Sequence, residues 1–154
     1  MSTGTDQVMD RIMQATALHQ RGDPAAATAA FTALWAEIGP DGDPLHVVAL
    51  AHYFADVHDD PAARQEWDLR ALAAADALTD DRARTYHASL DVAGFYPSLH
   101  ANVADNHAAL GEYDLARAHL AMARELQDRL GQDAYGELVR EYLDKIEARL
   151  AASV

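Results

Sequence analysis

Residues 110–125 read LGEYDLARAHLAMARE, a turn followed by a helical pattern, and the same arrangement occurs twice earlier, as RGDPAAATAAFTAL at 21–34 and HDDPAARQEWDLRAL at 58–72. In each stretch a small residue follows the turn and a bulky residue stands four positions later; these pairs are Ala27 with Phe31, Ala63 with Trp67, and Ala116 with Leu120. Helical residues four apart share a face, so a small residue beside a bulky one shapes a surface on which a second helix packs closely. Each stretch is therefore predicted to be the second helix of a packed pair.

The stretches before these helices supply the partners. A small residue stands twelve positions ahead of each of the three alanines, at Ala15, Ala51 and Ala104. Short connections make successive helices antiparallel neighbours, so the chain is predicted to form helical hairpins. The second-helix alanines at 27, 63 and 116 are 36 and then 53 residues apart, and the longer interval indicates an insertion, roughly LTDDRARTYHASLDVAGF.

This pattern resembles the tetratricopeptide repeat, whose period is about 34 residues. The third unit matches the motif at Ala104, Gly111, Tyr113, Ala116, Leu120 and Ala123. The first unit matches at Ala15, Leu18, Gly22, Ala27 and Phe31. The second unit matches at Leu50, Ala51, Phe54, Ala63 and Trp67, although Arg70 stands where the motif has a small residue.

The resemblance implies a right-handed α-solenoid of antiparallel hairpins, with roughly seven to eight helices in a single domain over residues 1–154. It places hairpins at about 5–38, 44–78 and 97–130, an inserted helical segment at about 80–93, and a capping helix at about 133–151. Composition agrees with an all-α fold, because 50% of the residues are hydrophobic, alanine dominates them, and no window alternates with the period of a strand.

Charge and cysteine content exclude several function classes. Twelve basic residues face 25 acidic ones, giving a formal charge of −13, so nucleic acid is not expected as a partner. There are no cysteines, which excludes disulfides, zinc–thiolate sites and cysteine nucleophiles. The N-terminal stretch MSTGTDQVMD is polar, and no run approaches ~18 apolar residues, so a cytoplasmic protein with no membrane partner is predicted.

Two local features of the C-terminal part have alternatives. Pro97 either kinks one helix that spans about 80–110 or begins a new helix. The final helix is predicted to pack through one apolar face, formed by Leu138, Tyr142, Ile146 and Leu150.

His100 and His107 lie seven residues apart, on one face of the predicted helix. The repeat usually has aromatic residues in these slots, so both imidazoles are interpreted as packing residues that each make a hydrogen bond. A metal site would need histidines three or four residues apart on one helix, which is absent here, although His87 of the insertion would be close enough to contribute. No metal and no cofactor is predicted.

The resemblance assigns the first helix of each hairpin to a concave groove. The predicted ligand-binding residues on these helices are Met13, Thr16, His52, Asp56, Ser98, Asn102, Asp105 and Asn106. Asparagine side chains donate and accept hydrogen bonds, which suits an extended peptide backbone. The groove slots hold acidic residues and no lysine or arginine, so a cationic or amide-rich segment is favoured over a carboxylate.

The leading functional prediction is therefore a non-catalytic adaptor that binds a protein or peptide segment in this groove. One alternative is a helical small-molecule or metal-binding protein, or an enzyme, in which Asp56 holds His52 as a general base opposite Asn102 and Asp105. Another alternative is a structural homodimer that buries its terminal helix or its first hairpin against a second copy.

Overall fold

The computed structural model describes residues 6–86 and 92–152, and all the regular structure within them is helical. Its eight α-helices are α1 (Gln7–Gln20), α2 (Pro24–Ile38), α3 (Pro44–Val57), α4 (Pro61–Ala77), α5 (Asp80–Tyr86), α6 (Tyr96–Ala109), α7 (Tyr113–Leu126) and α8 (Ala134–Ala152). Short 3-10 turns occupy Val92–Gly94 and Gln127–Arg129. The all-α prediction is confirmed, and none of the described helices combines the length and apolarity needed to cross a bilayer.

The chain divides into two compact units, Met1–Leu90 and Asp91–Val154. The N-terminal unit contains the α1–α2 and α3–α4 hairpins and α5. The C-terminal unit contains the α6–α7 hairpin and α8. The single domain expected over residues 1–154 stays a prediction.

Three helices of the N-terminal unit begin with the same Asp-Pro dipeptide. Asp23, Asp43 and Asp60 are the N-caps of α2, α3 and α4, and proline follows each of them in the first turn. Each aspartate side chain accepts a hydrogen bond from a backbone N–H inside its helix, at 3.1, 3.0 and 3.2 Å respectively. Proline costs the helix nothing at this position because its missing N–H would have no partner in the helix. The dipeptide therefore sets where each helix starts.

The turns of the first and third hairpins are built alike around a glycine. Gly22 has φ 85° and Gly111 has φ 78°, in the left-handed region that favours glycine. After each glycine the next backbone N–H donates back five residues, from Asp23 to Leu18 and from Glu112 to His107. This hydrogen bond closes the end of the first helix and reverses the chain. The α3–α4 turn lacks a glycine, and its C-cap residue, His58, is extended instead.

Most of the alanines predicted to lie between the paired helices of the N-terminal unit are buried. Ala15, Ala27 and Ala51 are buried, whereas Ala63 is half-buried. Each hairpin packs its two helices together, and α3 also packs against α1 and α2. Small side chains at these positions allow the helix axes to approach, since packing distance depends on the residues at the contact.

Aromatic rings join the two hairpins of the N-terminal unit. Phe31 stacks on Phe54 with ring centroids 5.1 Å apart, Phe54 lies 4.7 Å from Trp67, and Trp67 meets Trp35 edge-on at 5.1 Å. The Arg70 guanidinium carbon lies 4.3 Å from the centroid of the Trp67 ring and 5.6 Å from that of Trp35. Arg70 departs from the repeat motif because its cation covers these two indoles.

A polar network joins helix α5 to the N-terminal ends of α1 and α3. Arg82 of α5 donates to Asp43 at 2.7 Å and to Asp6 at 3.1 Å, and Asp6 also contacts Nε2 of His46 at 2.9 Å. Burial alone would raise the pKa of Asp6, but hydrogen bonds from His46, Met9 N–H and Arg82 lower it. Because Asp6 caps α1 and His46 lies in the first turn of α3, the N-terminal ends of α1 and α3 are neighbours. The two helices therefore start at the same end of the unit.

In the C-terminal unit, α8 packs against both helices of the hairpin. Pro97 lies in the first turn of α6, so it begins a new helix and does not kink a long one. The insertion predicted at about 80–93 contains α5 and the first 3-10 turn, and residues 87–91, which include His87, lie outside the described residues. The buried core of this unit consists of Ala101, Ala104, Ala108, Ala116, Leu120, Ala123, Leu130, Val139, Leu143, Ile146 and Leu150.

The packing face of α8 differs from the one predicted. Val139 and Leu143 are buried together with Ile146 and Leu150, whereas Leu138 is 63% exposed and Tyr142 only partly buried. A step of four residues overshoots one helical turn by about 40°, so three such steps from Leu138 leave the face. The spacing of four, three and four residues that begins at Val139 stays on one side of the helix.

Replacing Gly111 with alanine is expected to lower the free energy of unfolding by about 1 kcal/mol, because an L-residue is strained at this φ. No atom lies within 4 Å of the added Cβ, so the cost is purely conformational. Urea unfolding followed by circular dichroism measures it. The control is Gly94→Ala, whose Cβ meets only the Arg129 carbonyl at 3.7 Å and which should change the stability by less than about 0.5 kcal/mol. Equal effects would contradict the explanation.

His58 is expected to be a source of instability in the aromatic cluster. Its ring lies 4.8 Å from Phe54, and among the described residues its buried Nε2 has no hydrogen-bond partner. An unpaired buried polar atom costs about 1–3 kcal/mol, so His58→Phe should raise the free energy of unfolding by about 1 kcal/mol. His58→Gln keeps a polar group and should not stabilise the protein. A Phe variant that is less stable than the Gln variant would refute this account.

Candidate functional site

Ser98, near the start of α6, is held by residues of both its own segment and α8. Its hydroxyl donates to the Phe95 carbonyl at 3.1 Å, which closes the first turn of the helix. The same oxygen accepts a hydrogen bond from the Tyr135 hydroxyl at 3.0 Å. These two hydrogen bonds hold the Ser98 hydroxyl in one orientation between α6 and α8.

Asp105, two turns later on α6, is also paired with residues of α8. Its carboxylate accepts hydrogen bonds from the Tyr142 hydroxyl at 3.1 Å and from Arg149 at 3.0 Å. The Asp105 and Arg149 side chains are 30% and 47% exposed, so solvent screens their ion pair and its contribution is about 0–1 kcal/mol. Its main effect is on charge, because Arg149 offsets the negative charge predicted for this part of the groove.

These hydrogen bonds set the relative direction of the two helices. Tyr135 pairs with Ser98 and Tyr142 with Asp105, so a step of seven residues along α8 matches a step of seven along α6 in the same order. The two helices therefore run parallel.

One surface of the C-terminal unit combines these polar groups with exposed apolar ones. We call it the α6–α8 face, and it consists of Ser98, Asn102, Asp105, Tyr135, Leu138 and Tyr142. Tyr135 is 53% exposed and Leu138 63% exposed. Asn102 is half-buried and lies between Ser98 and Asp105 by helical spacing. Lys145, the only lysine of the chain, is exposed two turns after Leu138 on the same side of α8.

The predicted groove residues of the C-terminal unit divide into two groups. Ser98, Asn102 and Asp105 lie on the α6–α8 face and retain accessible surface. Asn106 is buried, so little of its side chain is accessible from outside the unit.

Four predicted site residues lie in the N-terminal unit. Met13 is exposed on α1, whereas Thr16 is buried and donates its hydroxyl to the Ile12 carbonyl at 2.9 Å. His52 is partly buried and Asp56 is exposed. Burial lowers the pKa of His52, and the negative charge of Asp56 acts in the opposite direction. The predicted cluster of His52, Asp56, Asn102 and Asp105 takes two residues from each unit and stays a prediction.

A second polar cluster of the C-terminal unit lies between α6 and α7. Nδ1 of His100 is 3.0 Å from Nδ1 of His119, and the His119 ring also stacks on His107 at 5.5 Å. His107 in turn contacts Glu112 at 3.0 Å. His100 and His107 thus pack between the two helices of their hairpin. Within residues 6–86 and 92–152, no three histidine or carboxylate side chains are arranged to hold a metal ion.

Sequence reasoning missed the contribution of α8 to the α6–α8 face. The sequence pattern placed Tyr142 in the packing face of the final helix, and it indicated no role for Tyr135 or Arg149. The register of Val139, Leu143, Ile146 and Leu150 was available from the sequence, and it leaves Tyr135 and Tyr142 on the neighbouring side of the helix. His119 was also missed, since nothing in its own helical pattern distinguishes it.

Comparison of the chain with known protein families, with curated proteins and with solved structures finds no match. The resemblance to the tetratricopeptide repeat therefore stays a prediction from the sequence.

Tyr142→Phe is expected to lower the free energy of unfolding by about 0.5–1.5 kcal/mol, because it removes a partly buried hydrogen bond to a carboxylate. Tyr135→Phe removes an exposed hydrogen bond and should cost less than about 0.5 kcal/mol. Urea unfolding of the two variants makes the comparison. If Tyr135→Phe costs as much as Tyr142→Phe, the assigned difference in burial is wrong.

Proposed function

We propose that this protein is a non-catalytic peptide-binding protein of the tetratricopeptide type, and that the α6–α8 face binds the peptide. The observation that carries the proposal is the exposure of Tyr135 and Leu138 beside the polar row of Ser98, Asn102 and Asp105 on α6. An exposed aromatic and aliphatic pair next to fixed hydrogen-bonding groups is typical of recognition surfaces.

The helical architecture supports the proposal in two ways. The first and third hairpins share their glycine turn and its hydrogen bond, as repeated units do. Within each unit two helices lie side by side, α1 with α3 and α6 with α8. Such a pair of parallel helices presents a shallow surface to a segment that crosses it.

The chemistry of the face favours an extended segment with cationic or amide side chains. Tyrosine has an apolar ring and a polar tip, so it contacts a peptide at low entropic cost. Asn102 has an amide that both donates and accepts, which matches a peptide backbone. Glu141 is exposed on α8 three residues after Leu138, and the chain carries a formal charge of −13, so positive residues in the segment are attracted.

The ionisable groups of the face are better suited to binding than to catalysis. Asp105 is neutralised by Arg149 and accepts a hydrogen bond from Tyr142, so it has no unmatched charge to drive proton transfer. A general base needs hydrogen-bond access to the proton that it removes. We therefore assign no chemical step to this surface.

The proposal is tested with an array of 12-residue peptides that vary in charge and in apolar content. The wild-type chain is expected to select peptides that combine lysine or arginine with an apolar residue. Tyr135→Ser combined with Leu138→Ser should weaken these complexes at least about tenfold, because both anchors are lost. The matched control is Leu115→Ser with Met122→Ser on α7, whose parent side chains are 49% and 43% exposed.

Retained binding in the α7 control, together with loss in the α8 variant, supports the assignment. Equal loss in both variants, or no selection by the wild type, contradicts it. Light scattering after size exclusion is run on the same samples. A dimer that dissociates only in the α8 variant would assign the α6–α8 face to self-association instead of peptide binding.

A further inference from the structure

Three imidazole rings follow one another between α6 and α7, with the His119 ring stacked on His107 and tilted by 30° against His100. The His119 ring lies in the middle, with its centroid 5.2 Å from that of His100 and 5.5 Å from that of His107. Tyr96 extends the stack beyond His100, at a centroid distance of 5.9 Å. The peptide-binding proposal does not use these rings, because they lie between the helices of the hairpin.

The contact between His100 and His119 requires a particular protonation state. Their Nδ1 atoms are 3.0 Å apart, so one of them donates a hydrogen and the other accepts it. A proton on both Nδ1 atoms would place two donors against each other and remove the hydrogen bond. The pair tolerates one positive charge, because an imidazolium on His100 still donates to a neutral His119.

The third ring has a different partner. Nδ1 of His107 lies 3.0 Å from a carboxylate oxygen of Glu112. Among the described residues, the charges that act on His119 are those of His100 and His107. His119 is thus the central ring of the three, and any charge on the two flanking imidazoles acts on it.

We propose that His119 is a proton switch in the C-terminal unit. When His100 holds a proton on its Nδ1, uptake of a proton on Nδ1 of His119 sets two donors against each other and breaks the hydrogen bond. α7 then separates from α6, and the hairpin loosens as the solution becomes mildly acidic.

The direction of the effect follows from linkage. Burial lowers the pKa of His119, and the charges of His100 and His107 lower it further. The unfolded chain then binds a proton at a higher pH than the folded chain does. The stabilising effect of neutral His119 is complete above the ordinary histidine value of about 6.5 and is lost as the pH falls below it. In that window, the equilibrium constant for opening of the α6–α7 hairpin rises up to about tenfold for each pH unit by which the solution is acidified.

The test is amide hydrogen exchange of the full-length chain, with protection in α7 (Tyr113–Leu126) compared at pH 7.0 and pH 5.5. In the wild type, this protection should fall about tenfold between the two values. In His119→Gln, which cannot take up a proton and keeps an acceptor for His100, it should fall less than about threefold. His19→Gln on α1 is the control and should behave like the wild type.

Equal loss of protection in His119→Gln and the wild type would overturn the proposal, as would a wild type whose protection does not change. If His119→Gln does not fold, NMR titration of the wild-type histidine rings decides. His119 must then titrate below about 6.5, with the amide signals of α7 changing at the same midpoint. Titration at or above that value would overturn the proposal.

Discussion

The close approach of paired helices at alanine is the constraint on which the structure depends. Ala104 and Ala116 are fully buried on α6 and α7, and Ala15 and Ala27 have the same positions on α1 and α2. A side chain larger than a methyl group would separate the helices, since interiors are packed to the density of organic crystals. The histidine stack and the alignment of α8 along α6 both require the helices to be this close.

Much of the fold could be predicted from the sequence, because the signals for helix boundaries are local. The Asp-Pro dipeptides and the glycines at 22 and 111 mark starts and reversals by chemistry that needs no distant partner. The parts that could not be predicted depend on partners far away in the chain. The sequence shows Arg70 only as a departure from the motif, and its contact with Trp35 appears only in the structure. Nothing in the sequence pairs Arg82 with Asp6 and Asp43.

The candidate site was predicted only in part, for a related reason. The spacing of Ser98, Asn102 and Asp105 placed them on one side of α6, and the structure keeps them together. Their chemistry depends on α8, which supplies two phenols and a guanidinium. A surface that the sequence describes as acidic is therefore more nearly neutral and more aromatic in the structure.

The position of Lys145 has a practical consequence. It is the only lysine of the chain, and it is exposed on the side of α8 that carries Leu138. Apart from the α-amino group, an amine-reactive fluorophore therefore attaches to a single side chain of this protein, at the edge of the α6–α8 face. The molecule thus contains a ready labelling point where a bound segment would change the environment of the dye, and no engineered cysteine is needed.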